Sequence, residues 1–90
     1  MKKTKLEPIN QKSFYGKAWV IKREDGITEL QSYNTIVGFI DDGKFHRTWD
    51  DFSVTTMNHV NAFLHMFGLP KLNKAKWNAL PIANYKNGGM

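Results

Sequence analysis

The chain has 90 residues, no cysteine and 41% hydrophobic residues, which is the size of one small domain with a single core. The lack of cysteine excludes a disulfide scaffold, thiolate metal centres and thiol nucleophiles, and no run reaches the ~18 apolar residues of a membrane-spanning helix. The net charge of +5 is unevenly laid out, at +6 over residues 1–23, −5 over 24–51 and +4 over 52–90, so two basic ends attractive to polyanions flank an acidic middle.

Residues 1–12 are polar, hold Pro8 and show no period, and read as a flexible N-terminal arm. From Ser13 the period becomes two. Phe14, Ala18 and Val20 point one way, and Tyr15, Lys17, Trp19, Ile21 and Arg23 the other, which predicts a strand. Asp25-Gly26 and Asp42-Gly43 stand between apolar runs, where glycine accepts a positive φ without steric cost, so each predicts a hairpin. Two hairpins predict three antiparallel strands. The middle run, Ile27 to Ile40, is long for one strand and should bend or bulge near Ser32-Tyr33-Asn34, and the last strand should run from Lys44 to Trp49.

After Asp50-Asp51-Phe52 the period turns helical. Ser53 or Thr55 can cap a helix whose Met57, Val60, Phe63, Leu64 and Phe67 form one apolar stripe, and Gly68-Leu69-Pro70 stops it. A short second helix is predicted from Lys74 to Leu80, with Asn73 as cap and Leu72 packing back on Trp77. A three-stranded meander has an apolar face to cover, and the Met57 to Phe67 stripe is the long amphipathic surface available for it. The expected fold is therefore α+β: a three-stranded antiparallel β-meander packed on one main C-terminal helix plus a short second one. It should occupy residues 13–82 as a single domain, with 83–90 as a mobile tail.

Four linked segments, Ser13-Phe14-Tyr15-Gly16-Lys17-Ala18, Leu30 to Thr35, Phe45 to Trp49 and Ser53 to Phe63, occur in that order, followed by Lys74 to Pro81. Together they resemble a family of small proteins of unknown function, frequent in bacteriophages and mobile elements, over roughly Lys12 to Leu80. The resemblance implies a viral or mobile-element setting in the cytoplasm of a bacterial host. It implies no activity, no catalytic residue and no cofactor.

The motif residues Tyr33, Asn34, Thr35, Trp49, Ser53, Thr55, Thr56 and His59 have a structural explanation, as turn, strand anchor and helix cap. His59 should bond a nearby hydroxyl or backbone group. His59 and His65 are six positions apart, or about 120° around a helix, whereas a metal pair prefers a spacing of three or four, so no metal site is expected. Hydroxyls at the helix start could receive an anion, but capping explains them without a ligand. No nucleophile elbow, phosphate loop or paired metal-ligand motif is present, so an enzyme is not expected.

The Tyr15, Lys17, Trp19, Ile21, Arg23 face interleaves bases with aromatics, as single-strand nucleic-acid binders do. Cover by the arm and second helix would explain the apolar members of that face equally well. Tyr15, Lys17, Trp19, Lys22, Arg23 and Arg47 are the candidate partner-binding residues. The expected function is non-enzymatic binding to a host or viral macromolecule, a protein before a nucleic acid, whose activity the chain modulates. A nucleic-acid-binding module is the alternative. The expected state is a monomer or weak homodimer away from membranes.

Overall fold

The computed structural model describes residues 2–6 and 16–83. Five strands, β1 (Lys2–Lys5), β2 (Ala18–Lys22), β3 (Thr28–Ser32), β4 (Thr35–Asp41) and β5 (Lys44–Arg47), form one antiparallel sheet in chain order. Helices α1 (Val54–Met66) and α2 (Lys74–Ala79) follow. The α+β class is as expected, but the sheet has five strands where three were predicted. Two features make the difference.

The first is at the middle run. Instead of bending there, the chain reverses completely at Tyr33-Asn34, with Ser32 paired directly to Thr35 across the turn. Tyr33 takes the left-handed φ of +56°. An expected irregularity does occur, but one strand later: the β3–β4 register slips between Leu30 and Gln31, which leaves Val37 opposite no residue. The freed Val37 carbonyl accepts the backbone N–H groups of Thr48 and Trp49 at 3.0 and 3.3 Å, so regular pairing of the last strand ends at Arg47 rather than Trp49.

The second feature is the N-terminus. Lys2–Lys5 is no free arm but an edge strand in register with β2, Lys3 facing Ile21 and Lys5 facing Trp19, and Leu6 is buried in the core. An edge strand rich in lysine resists pairing with another chain. The remainder of the predicted arm, Phe14 and Tyr15 of the predicted first strand, and the tail from Asn84 lie outside the described residues. Ile82 bridges β5 in parallel at Arg47, and the Ala83 N–H donates to the Arg47 carbonyl at 2.7 Å.

The two predicted glycine turns form as their chemistry requires. Asp42 and Gly43 both take positive φ, 52° and 74°, which matches the right-handed twist of the flanking strands. At Glu24-Asp25-Gly26 the Arg23 N–H donates to the Ile27 carbonyl at 2.9 Å, closing a three-residue loop with Gly26 at φ +92°.

Side chains alternate across the sheet. One face carries Thr4, Val20, Leu30, Gly38 and Arg47 in a row across the five strands. α1 and α2 cover this face: Met57, Val60, Phe63, Leu64 and Trp77 join Leu6, Ala18, Val20, Leu30 and Val37 in one core, with the Phe45 ring set against both Phe63 and Trp77. Gly38 is required here, because a Cβ would run into the Phe45 ring and stand 2.9 Å from the His46 carbonyl. α2 packs on the same side as α1, so it does not cover the opposite face as one expectation had it. On that opposite face Ile21, Glu29 and Phe39 are nevertheless buried.

Ser53 caps α1, its hydroxyl accepting the Thr56 N–H at 3.0 Å, and Asn73 caps α2 through the Lys76 N–H. α1 ends where Gly68 at φ +73° lets its own N–H and that of Leu69 reach the His65 and Leu64 carbonyls. Asn61 then clamps the loop to α2, donating to and accepting from the Leu72 backbone at 2.9 and 2.8 Å.

Candidate functional site

The expected partner-binding residues divide into separate places. Arg47 is a correction: predicted on the surface, it is 6% exposed under α2. Its guanidinium donates to the carbonyls of Trp49 at 2.7 Å, Trp77 at 3.0 Å, Leu80 at 3.4 Å and Asp51 at 3.5 Å, and lies 4.7 Å from the Trp77 ring centroid. Trp77, wholly buried, sends its indole N–H to the same Asp51 carbonyl at 2.8 Å. A planar fork with five donors suits four carbonyls that converge from different segments. Arg47 is therefore a tie between the end of the sheet and α2.

Arg23 pairs with Asp25 in its own turn and lies 3.8 Å from the buried Glu29 carboxylate. Lys22 is exposed but shares the side of Ala18 and Val20 rather than that of Trp19. Tyr15 lies outside the described residues.

Lys17 and Trp19 do come together, and with residues expected to be structural. At the corner where β1, the start of β2 and the β3–β4 turn meet, Lys3, Gly16, Lys17, Trp19, Gln31, Tyr33 and Asn34 line a polar concavity of about 400 Å³. The Trp19 ring is held by its own N–H, which donates to the Gly16 carbonyl at 3.0 Å. Lys3 and Lys5 place their ammonium groups 5.0 and 6.0 Å from its centroid, and the Lys17 ammonium lies 5.5 Å from the Tyr33 ring. Gln31 donates to the Tyr33 carbonyl at 2.7 Å, fixing the turn from beneath.

Tyr33 is 46% exposed and sits at a backbone angle that costs a side-chain-bearing residue roughly 1 to 2 kcal/mol. Asparagine tolerates that angle better, and Asn34 is next in the chain. The turn nevertheless puts the ring, not the amide, at the strained position.

The other motif residues occupy strand, turn and helix-start positions. Trp49 and Phe52 are half-buried against the core. Thr55 is exposed in the first turn of α1 and caps nothing that Ser53 has not already capped, while Thr35 opens β4. His59 bonds a hydroxyl from β3 rather than a local one: Ser32 Oγ is 2.7 Å from His59 Nδ1 and 3.1 Å from Thr56 Oγ1. The Tyr33 ring leans over the imidazole, with centroids 5.8 Å apart. Burial holds the His59 pKa below its ordinary 6.5, because the charged ring would lose its hydration.

Although a serine and a histidine are in contact here, Ser32 is 2% and His59 1% exposed, so no substrate reaches the hydroxyl. Among the described residues no three His, Cys, Asp or Glu side chains converge for a metal, and no helix is long and apolar enough to cross a membrane. His46 instead stacks on Phe39 at 4.8 Å, and His65 is exposed near the end of α1. A second concavity, of about 260 Å³, is apolar, lined by Phe45, Leu64, Leu69, Pro70, Leu72 and Leu80 together with Gly43 and Lys44.

Sequence reasoning missed Lys3, Lys5 and Gln31 at the corner, and Trp77 as the partner of Arg47. Lys3 and Lys5 did leave a signal, since Lys-Thr-Lys-Leu over residues 3–6 alternates charge with a core residue. Four residues, two of them lysine, are too few to separate that signal from an arm.

A five-stranded antiparallel meander with both helices on one face, a core tied by a buried arginine and a basic, aromatic corner define a small α+β domain. Residues 4–79 match the family of unknown function DUF8033, and the chain belongs to that family. No curated protein matches it. No solved structure does either.

Proposed function

We propose that this chain is a small non-enzymatic accessory protein of a phage or mobile element that binds a host or viral macromolecule and modulates it, as in host takeover or anti-defence. The setting rests on the sequence resemblance and places the chain in the cytoplasm of a bacterial host. The observation that carries the binding role is the corner, where Lys3, Lys17 and the Asn34 amide stand at one polar concavity, with Lys5 beside the Trp19 ring and the exposed Tyr33 next to it. Exposed aromatic rings are what binding surfaces enrich, and the lysines beside them draw in an anionic partner, whereas His59, Ser32 and Thr56 are spent on each other inside.

Capture from a bacterial host lysate tests this. The wild-type chain should retain a stoichiometric partner that the Lys3→Glu/Lys17→Glu variant loses, the variant keeping its melting temperature. Equal recovery by both chains of the same background set ends the proposal.

A further inference from the structure

The corner combines the three kinds of group that a nucleotide needs. Lys3 and Lys17 at the concavity and the exposed Lys5 beside it supply cations to phosphate, Tyr33 is 46% exposed and able to stack, and Asn34 carries an amide of the type that pairs with base edges. The concavity of about 400 Å³ is polar rather than greasy, and the five lysines at 2, 3, 5, 17 and 22 give the β1–β2 side of the sheet a positive field. Six of the eight acidic residues lie elsewhere, in the hairpin turns at Glu24-Asp25 and Asp41-Asp42 and before α1 at Asp50-Asp51; Glu29, on β3 opposite Ile21, is buried and 3.8 Å from Arg23, and Glu7 lies outside the described residues.

The backbone at Tyr33 is an independent observation. A turn that keeps an aromatic ring at a left-handed φ, next to an asparagine that suits that angle better, spends stability on displaying the ring.

We infer that the Lys3, Lys17, Trp19, Tyr33 corner is a binding site for single-stranded nucleic acid, with one unstacked base against Tyr33 and the backbone running along Lys3, Lys5 and Lys17. This rests on the corner being the working surface, as proposed above. Charge complementarity selects a polyanion, and the concavity beside a ring selects an unstacked base. A duplex keeps its bases stacked, so it can offer phosphates to the lysines but no base to Tyr33.

The test is fluorescence anisotropy of the full chain with labelled oligothymidylate and oligouridylate, each alone and as its duplex with the complementary adenylate strand. At least one single strand should bind more tightly than its duplex. Its log K should fall against log salt with a slope of about −2 if three phosphates are neutralised, and Lys17→Ala should flatten that slope by about 0.7. Tyr33→Phe should bind like wild type. Tyr33→Gly should lose about 5- to 150-fold in affinity, the range that one stacked base contributes, with an unchanged or raised melting temperature, because glycine takes φ +56° freely.

Equal affinity for duplex and single strand, or a Tyr33→Gly variant that binds undiminished, overturns the inference. So does the absence of oligonucleotide binding at low salt. If oligonucleotides fail while the Lys3→Glu/Lys17→Glu variant still loses a nuclease-resistant protein from the lysate, the corner is a protein site and only this inference falls. If both experiments fail, the wider reading falls with it.

Discussion

Two tryptophans in this chain carry a cation over the ring at nearly the same distance, Arg47 at 4.7 Å from Trp77 and Lys3 at 5.0 Å from Trp19, and they serve opposite ends. Trp77 is fully buried, and its arginine donates to four backbone carbonyls; Trp19 is half-buried and its lysines face water. The pair chemistry is shared, so it does not decide the role. Solvent decides it. Out of water a cation must be matched by dipoles on every side, which uses up its donors and makes it part of the fold. In water the same contact contributes ~0.5 to 1 kcal/mol and leaves the ammonium available to a partner.

The largest effect that can break this comparison is at Arg47. Arg47→Met keeps bulk but strips hydrogen bonds from the carbonyls of Trp49 and Trp77 and from the part-exposed Leu80 and Asp51. Buried acceptors left unmatched cost about 1 to 3 kcal/mol each, and water can rescue those at the rim, so a loss of about 3 to 5 kcal/mol is expected in denaturant unfolding. For a domain of this size that is a large part of the total. Arg47→Lys should recover little of it, since an ammonium cannot meet several carbonyls in one plane. If lysine restores stability, the positive charge rather than the fork holds α2 in place. If Arg47→Met costs under ~1 kcal/mol, the buried arginine is no tie at all.

The two regions also differed in how far they could be read from the sequence. Lys17 and Trp19 were legible because strand alternation is local: residues two apart share a face whatever the rest of the chain does. The Asp-Gly turns and the Ser53 and Asn73 caps were legible for the same reason, each being decided within three or four residues. Arg47 was not, because the Trp77 and Leu80 carbonyls that make its burial tolerable lie 30 and 33 residues further along. A charged side chain on a strand reads as exposed until its acceptors are known. The Tyr33-Asn34 reversal was hidden by a broken local rule, an aromatic at a left-handed angle, and so one long run concealed two strands. Places where local chemistry and the observed backbone disagree are the ones worth testing for function.

His59 sits between the two regions, under Tyr33 but inside the core, and its titration gives an effect of intermediate size. Its folded pKa lies below the unfolded 6.5 because burial penalises the charged ring. On lowering the pH, the unfolded chain binds its proton first. Stability should therefore be complete above about pH 6.5, fall as the pH drops below that value, and level off with respect to this group only below the folded pKa. Stability measured from pH 7.5 to 5 should show this slope in wild type. In His59→Gln, whose amide can still meet Ser32 Oγ, the slope should be absent. An identical slope in both chains would assign the pH dependence to other groups.

The smallest effect on stability belongs to the exposed pair, and here the comparison is sharpest. Lys3→Ala and Lys5→Ala each remove an ammonium from the Trp19 ring in water, and both residues are exposed on an edge strand. Each should shift the unfolding free energy by no more than about 1 kcal/mol, the size of one exposed cation–ring contact, and alanine at either position leaves the backbone pairing with β2 intact. The double variant should sum to no more than about 2 kcal/mol, because edge lysines keep the strand soluble and block its pairing with another chain rather than packing the core. A drop of several kcal/mol, rivalling Arg47→Met, would mean that the lysine stems and the Trp19 ring act as a packed unit. The corner would then be a second structural tie rather than a surface held ready for a partner.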